Sequence, residues 1–474
     1  MRPLALAPRR VLDGFGFAVR GVSPTVRPRS AEEVAEVYAR ATAEGLTVGM
    51  RGNGRSYGDA ALNREGIVLD TLGMDRVLSF DAAAGIAEVE PGVTIEGLWR
   101  HALPLGWWPS VVPGTMFATM GGCAAMNVHG KNHFHVGGTG DSIVEADLVT
   151  PAGHTLRISR DENADLFHGA IAGFGMLGTM TRIKLRLKKV HSGRMKVRQI
   201  PARTLAEQFE IFEREEANAD YLVSWVDCIA GGASLGRGQV HVAQYFKEGE
   251  DPDGVRLLDP ARQDLPPHIL GVPRALVPKI LRAFNNRHGM GLVNLGKYLV
   301  ARFGPKGQYL QNHVAFAFLL DYVPNFRSTY EPAGFIQYQP FVPKEAAPYV
   351  FGEILKRTQA AGMPSFLGVM KRHRPDDFLL SHALDGYSFA MDYPVPRAGR
   401  EALWKLTGEL SDIVLAAGGR FYPAKDLTLR PNDFRRAWGQ ERVSRFQALR
   451  RQVDPAGVLR TDWARRVGVD EPRE

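Results

Sequence analysis

The sequence predicts an α+β fold. Three observations carry the prediction: short β-type runs alternate with amphipathic helices up to about residue 190, glycine-rich loops interrupt that region at strand ends, and from about 195 to 415 longer helices and strands follow without such loops. With 474 residues and 45% hydrophobic content, the chain can bury a sizeable core shared between two or three domains.

The elements follow in order. Ser30 is placed to cap a helix, Glu33 to close its capping box, Val34, Val37 and Tyr38 to form its apolar stripe, and Gly45 to end it. Residues 47–50 then read as a strand that delivers Arg51 and the first glycine loop, Arg51-Gly-Asn-Gly-Arg-Ser-Tyr-Gly-Asp59. Strands are expected at 67–69, 76–79 and 86–91, and Thr94 caps a helix over 96–102. A second glycine segment runs from Pro113 to Asn132 and contains Gly114, Gly121, Gly122 and Gly130. Strands at 143–149 and 155–158 precede a third group, Gly173, Gly175 and Gly178, which opens directly onto a strand at 179–187. The first domain is expected to close near residue 190.

Charge narrows the class of ligand without choosing it. The net charge of +8, from 59 basic and 51 acidic residues, suits nucleic acid, anionic lipid or a phosphorylated substrate. No polybasic tail, repeat or low-complexity tract marks a nucleic-acid binder, so nucleic acid is not expected as a partner. Cys123 and Cys228 are too few for a disulfide framework, which points to a reducing compartment. The first ten residues hold too short an apolar run for a secretory segment, and no run approaches a spanning helix. The expected location is cytoplasmic, with peripheral contact at the inner face of the membrane as the further option. That option rests on residues 265–320, which contain no Asp or Glu. There Arg274, Lys279, Arg282, Arg287, Lys297, Arg302 and Lys306 are interleaved with Ile269, Leu270, Leu276, Ile280, Leu281 and Phe284. Such a stretch is either a buried helical pair with snorkelling cations or a basic lid or membrane-facing segment.

The loops carry the chemistry. Glycine admits positive φ and removes the side chains that keep backbone N–H groups from phosphate oxygens. The first loop is not a dinucleotide fingerprint, because Gly52, Gly54 and Gly58 fall at spacings of two and four. Three such loops in one region suit a long anionic ligand gripped along its length. The spacing of His129, His133 and His135 raises a metal site, but no Cys or acidic residue completes a ligand set and Lys131 sits among them, so no metal is expected.

Together these motifs resemble the FAD-linked oxidoreductases of the vanillyl-alcohol oxidase type. The family shares the Arg-Gly-x-Gly-x-Ser loop, the Pro-Gly then Gly-Gly segment, and an Asp-Leu-Phe, here Asp165 to Phe167, followed by Gly173, Gly175 and Gly178. Similarity to members that oxidise a lipid-linked ribose on a route to arabinan precursors extends over nearly the whole chain. It rests on residues 54–59, the His-Gly-Lys-Asn-His of 129–133, Gln337-Tyr-Gln339, Lys371-Arg372, Asp392-Tyr-Pro394, the 418–426 segment ending Ala424-Lys425-Asp426, and Val453-Asp-Pro455. The resemblance implies a two-domain vanillyl-alcohol-oxidase-type flavoprotein. Its FAD-binding domain would be split between 1–192 and a returning C-terminal segment, 416–474. Between them, 193–415 would form a substrate-binding domain on an antiparallel sheet, carrying the basic stretch 265–320.

By the same resemblance, FAD would be held by Arg51, Gly52, Asn53, Gly54, Arg55, Ser56 and Tyr57 of the first loop. Pro113, Gly114, Thr115, Gly121, Gly122, Asn127, His129, Gly130, Lys131 and Asn132 of the second segment would join them, with Gly178, Tyr422 and Lys425. Relatives that attach FAD covalently have a histidine where this chain has Arg55, so a noncovalent flavin is implied. Oxidising a secondary alcohol requires a hydride acceptor, loss of the hydroxyl proton and positive charge near the flavin N1/O2 edge. Lys425 is the candidate for the charge, and His129, Tyr57, Asp392 or a neutral Lys425 for the proton acceptor, unranked. Gln337, Gln339, Lys371, Ser388 and Lys425 are candidate sugar contacts. Ser388 and Ala390 stand where those relatives have an Asn and a Cys, which alters the pocket floor. The implied substrate is a polyprenyl-phosphate-linked pentose, with a keto-sugar reductase as partner. The alternatives are a soluble alditol or aldonolactone oxidase and, from another class, a nonenzymatic basic binding protein.

Overall fold

The computed structural model describes residues 3–269, 271–305 and 307–470; Leu270 and Lys306 of the basic stretch lie outside them. The helix Ala31–Ala43 begins where its cap predicts: extended Ser30 accepts the Glu33 N–H at 3.3 Å. The Glu33 carboxylate reaches back to the Arg29 N–H at 2.8 Å, one residue before the expected partner. Val34, Val37, Tyr38 and Ala41 are buried. Val48–Arg51 then pairs in parallel with Ile67–Asp70, which pairs in parallel with Arg20–Val26, and Arg9–Asp13 adds an antiparallel edge.

A second, five-stranded sheet is antiparallel throughout and runs in the order Val77–Asp81, Ile86–Val89, Thr179–Arg186, Ile143–Val149, Thr155–Ser159. Its strands fall within two residues of the expected ones. Ile95–Ala102 is the helix capped by Thr94, which accepts the Gly97 N–H at 3.0 Å. The C-terminal segment comes back to the first sheet: the Val48 N–H donates to the Val458 carbonyl at 2.7 Å, and the Arg460 N–H donates to the Val48 carbonyl at 3.0 Å.

Residues 194–421 supply a nine-stranded sheet whose neighbours are all antiparallel. The order is Gln308–Asn312, Arg194–Ala202, Gly238–Tyr245, Tyr221–Val226, Leu367–His373, Gly386–Pro394, Pro340–Pro343, Arg420–Phe421, with Phe335–Tyr338 also paired to Gly386–Pro394. Pro340 lacks an N–H, and the ladder breaks there between two strands that keep one register against Gly386–Pro394. Helices Leu205–Glu215, Ala347–Ala360 and Glu401–Ala416 pack against this sheet. Strand alternation sends Leu222, Val240, Val242, Met370, Phe389 and Met391 into the core, while Val223, Trp225, Gln239, His241, Val369, Lys371 and Ala390 border a cavity.

The basic stretch is not a buried pair. Its helices Val277–Phe284 and Arg287–Phe303 leave apolar side chains in solvent, with Leu292 65%, Val300 68% and Phe303 77% exposed. Among the described helices none is long and apolar enough to cross a membrane.

Candidate active site

A cavity of about 570 Å³ lies between the glycine loops and the uncovered face of the nine-stranded sheet. The first loop is shaped by close approaches. Gly54 has φ +62°, and a Cβ there would lie 2.2 Å from Nη2 of Arg51. The Arg51 guanidinium donates to the carbonyls of Ala61 (3.2 Å) and Asp13 (3.0 Å), so it braces the loop from one side. The Asn53 amide donates to the Phe117 carbonyl at 2.9 Å and ties the first loop to the second. Arg55 lies 5.5 Å from the Phe15 ring and 5.1 Å from that of Phe117, with its Nε buried and without a partner. Burial lowers its pKa, with Arg327 acting the same way. Beside it, burial raises Asp321 to about 6 although its carboxylate accepts from the Thr115 hydroxyl and the Met116 N–H.

In the second segment Pro113, Gly114, Thr115, Gly121, Gly122, His129 and Lys131 border the cavity, and so does Gly178 of the third group. Asn127, Gly130 and Asn132 do not. Asn127 is fully buried, and its amide donates to Asp376 (2.8 Å) and Ser381 (3.3 Å) while its carbonyl accepts the Gly140 N–H. Asn132 donates to the Ser110 carbonyl at 2.8 Å, and Gly130 packs against it. These three brace the loop from behind. The Lys131 ammonium is already committed to the carbonyls of Phe316 and Ala317, and burial pulls its pKa down to about 7.

At the opposite end of the first loop, the Tyr57 N–H donates to the Ala424 carbonyl at 2.8 Å. A Cβ on Gly58 would sit 1.9 Å from the Asp426 carbonyl oxygen, so only glycine lets the C-terminal segment approach this closely. That contact sets Lys425 Nζ 3.7 Å from the centre of the Tyr57 ring, with no hydrogen bond among the described residues. Asp392 lies behind the wall; its Oδ1 accepts from Gln337 Nε2 at 2.5 Å and its Oδ2 is buried without a partner. Burial raises Asp392 and lowers Lys425, against their mutual attraction. The Tyr57 hydroxyl is likewise buried and unpartnered behind the wall, and burial raises its pKa.

Gln339 donates to His129 Nε2 at 2.9 Å and to the Ser388 hydroxyl at 3.3 Å. As an acceptor at Nε2, neutral His129 carries its proton on Nδ1, which is buried and without a partner. Ser388 hydrogen-bonds His373 at 2.7 Å and sits beneath Gln339, away from the cavity wall. His129, His373 and His382 gather around Phe341, and His133 packs against His373 with the rings 4.6 Å apart. Burial pulls all four well below the ordinary histidine range. His135, whose spacing raised a metal site in the sequence, is exposed and outside this group, and among the described residues no group of three metal-ligating side chains could hold an ion.

The sequence reading missed Trp225, Gln239, His241 and the position of Lys297, whose Nζ lies 4.3 Å from the centre of the Trp225 ring. Alternation along 221–226 and 238–245 puts these strand residues on one face, but only the packed helices decide which face is left for a ligand. Arg51, Arg55, Lys131, Lys297, Lys371 and Lys425 border the cavity, with no Asp or Glu among its described lining residues. Loops that bare backbone N–H groups, an orphaned guanidinium and an unpartnered lysine fit a long anionic ligand that ends in a ring able to take negative charge.

Comparison with known proteins agrees with that fit. Residues 22–159 match the FAD binding domain family, and residues 371–467 match D-arabinono-1,4-lactone oxidase. The chain is 30% identical over 460 residues to the decaprenylphosphoryl-beta-D-ribose oxidase of Mycolicibacterium smegmatis, covering 96% of this chain and 97% of that protein. It is 30% identical over 227 residues to cytokinin dehydrogenase 5 of Arabidopsis thaliana, covering 45% and 40%. It is also 29% identical over 170 residues to the mitochondrial L-galactono-1,4-lactone dehydrogenase 1 of Oryza sativa, covering 35% and 28%.

Proposed function

The chain belongs to the FAD-linked oxidoreductases of the vanillyl-alcohol oxidase type, which act on CH–OH groups, and from that premise we propose that it oxidises a secondary hydroxyl of a polyprenyl-phosphate-linked pentose. The observation that carries this reading is the meeting of Lys425, Lys371, Gln337, Gln339 and His129 at one end of the cavity, where the C-terminal segment touches the first glycine loop. The backbone of 52–56, with Gly114, Gly121, Gly122 and Gly178, holds the FAD, and Arg55 in place of a histidine leaves it noncovalently bound. Bound FAD supplies the hydride acceptor. Gln339 and Lys371 orient the sugar, and Lys425 faces the reacting hydroxyl.

For the hydroxyl proton, the geometry favours neutral Lys425. Tyr57 and Asp392 lie behind the wall, and the His129 Nε2 lone pair is engaged by Gln339. Burial keeps a share of Lys425 uncharged under conditions where an ordinary lysine is not. Once protonated, Lys425 would set a positive charge at the end of the cavity where the flavin ring would lie.

The exposed helix pair supports peripheral contact with an anionic membrane surface at the cytoplasmic face. Leu276, Ile280, Phe284, Leu292, Val300 and Phe303 present apolar area, and Arg274, Lys279, Arg282 and Arg287 stand beside it with no acidic residue from 265 to 320. The ketone formed would be consumed by a keto-sugar reductase. A second reading, oxidation of a soluble alditol or aldonolactone, draws on the 371–467 match and on Ala390 in the cavity wall.

Anaerobic mixing tests the choice. Flavin absorbance should bleach with a prenylphosphoryl pentose and persist with xylitol and with arabinono- and galactonolactone. Bleaching by the soluble compounds alone transfers the assignment to the second reading. Acid precipitation should leave the flavin in the supernatant; flavin retained in the pellet contradicts noncovalent attachment.

A further inference from the structure

The cavity wall carries six cations and no carboxylate among its described residues, and four of the six already have a place. Arg51 holds two carbonyls, Lys131 holds two more, Arg55 stands at the first glycine loop, and Lys425 faces Tyr57. Lys371 and Lys297 are left with no hydrogen bond or ion pair among the described residues. Lys371 is half-buried, and Lys297 is exposed with its ammonium against the Trp225 ring, so both charges are available to an anionic ligand.

The two lysines reach one patch from different elements. Trp225 pairs across the sheet with Gln239 on one side and Val369 on the other. Two residues along those neighbouring strands, on the same face, stand His241 and Lys371. Lys297 comes over the patch from the helix Arg287–Phe303 and lies against the Trp225 ring. Gln239 and His241 are hydrogen-bonded to each other at 3.1 Å and supply polar but uncharged surroundings. Asn294, one turn before Lys297, anchors that face of the helix through Asp227 at 3.2 Å.

We propose that Lys297 and Lys371 form a phosphate subsite, which holds the phosphoryl group of a sugar phosphate ester while its hydroxyl faces Lys425. The inference rests on the sugar-oxidoreductase reading of the same cavity. It assigns Lys297 as a specificity-determining residue carried by the basic helix pair, so the segment whose outer face is apolar also closes over the phosphate. Lysine suits this task as a point charge that needs no fixed fork geometry.

The test uses the full chain with FAD bound, in unmodified form and as Lys297→Gln, Lys297→Arg and Lys371→Gln. Equilibrium binding of ribose, ribose 1-phosphate and farnesylphosphoryl ribose is read from the perturbation of flavin absorption. Lys297→Gln should weaken the phosphorylated probes about tenfold and leave ribose unchanged, with Lys297→Arg recovering part of the loss, and Lys371→Gln should weaken the phosphorylated probes about tenfold more than it weakens ribose. Loss with the farnesyl ester alone assigns the phosphate to a lipid-linked source; loss with both esters extends it to free sugar phosphates. The subsite is overturned by equal loss for ribose, by no loss for either ester, or by esters that do not bind the unmodified protein. Sugar oxidation is judged separately by bleaching: an unbleached flavin with a lysine-dependent phosphate effect sinks the reaction and keeps the subsite. A bleached flavin without that effect does the reverse.

Discussion

Lys425 is where single-residue chemistry can be tested most directly. Substituting Lys425→Met should lower kcat by about 100-fold or more, the usual loss when a preorganised charge is removed from a reacting centre, while the ratio of flavin to protein absorbance stays near that of the unmodified protein. If kcat is retained, Lys425 has neither role. The pH dependence has a definite sign. Burial lowers the Lys425 pKa, with Lys371 acting the same way and Asp392 opposing both. The neutral amine is the form present above that lowered value, so kcat/KM should rise with pH at a point below the ordinary lysine range. Asp392→Asn keeps an acceptor for Gln337 but removes the negative charge that favours the ammonium, so the rising limb should move to lower pH. An unmoved limb would separate Asp392 from Lys425. Of these residues, sequence motifs yielded Lys425, His129, Gln339 and Lys371 through family resemblance. They did not yield His373, His382 or Lys297, because each comes to the site from an element whose placement depends on sheet order.

At the scale of elements, local signals were read well where one residue decides. The cap at Ser30 is such a case; Ser30→Ala should cost about 1 kcal/mol in denaturant unfolding, since the Glu33 N–H loses its acceptor. The two strands Arg9–Asp13 and Arg20–Val26 escaped notice for the opposite reason. The first is largely exposed, the second contains Pro24, and neither shows the alternation of a half-buried strand. The basic helix pair was legible as a composition and not as a placement, because an apolar stripe reads the same against a core or against lipid. Its exposed face gives a third-party test: Val300→Asp with Phe303→Asp should reduce sedimentation with phosphatidylglycerol vesicles about tenfold, with flavin content unchanged. Equal sedimentation of the double variant would leave those side chains without a lipid role.

The whole molecule depends on how its far C-terminal residues hold the first glycine loop, and Arg466 is the link that exposes this. Its guanidinium donates to both oxygens of Asp59 at 2.8 and 2.9 Å, to Asp426 at 2.9 Å and to the Leu429 carbonyl at 2.7 Å. Asp59 closes the first glycine loop and Asp426 follows Lys425, so one side chain clamps both walls of the cavity end. Sequence spacing gave no hint of the clamp, since its partners lie some 400 and 40 positions away. Arg466→Ala would take from Asp59, whose pKa burial already raises, the guanidinium that offsets that burial. Breaking a buried pair from one side typically costs about 3 kcal/mol, so the variant should unfold at lower denaturant concentration. If the C-terminal segment and the first loop form one flavin-holding unit, it should also release FAD more readily, and excess FAD should restore part of the lost stability because a ligand that binds only the folded state stabilises it. Fluorescence titration of the apoprotein with FAD, set beside urea unfolding with and without added FAD, measures both. A stability loss with unchanged FAD affinity would mean that the C-terminal segment supports the fold but takes no part in shaping the cofactor site.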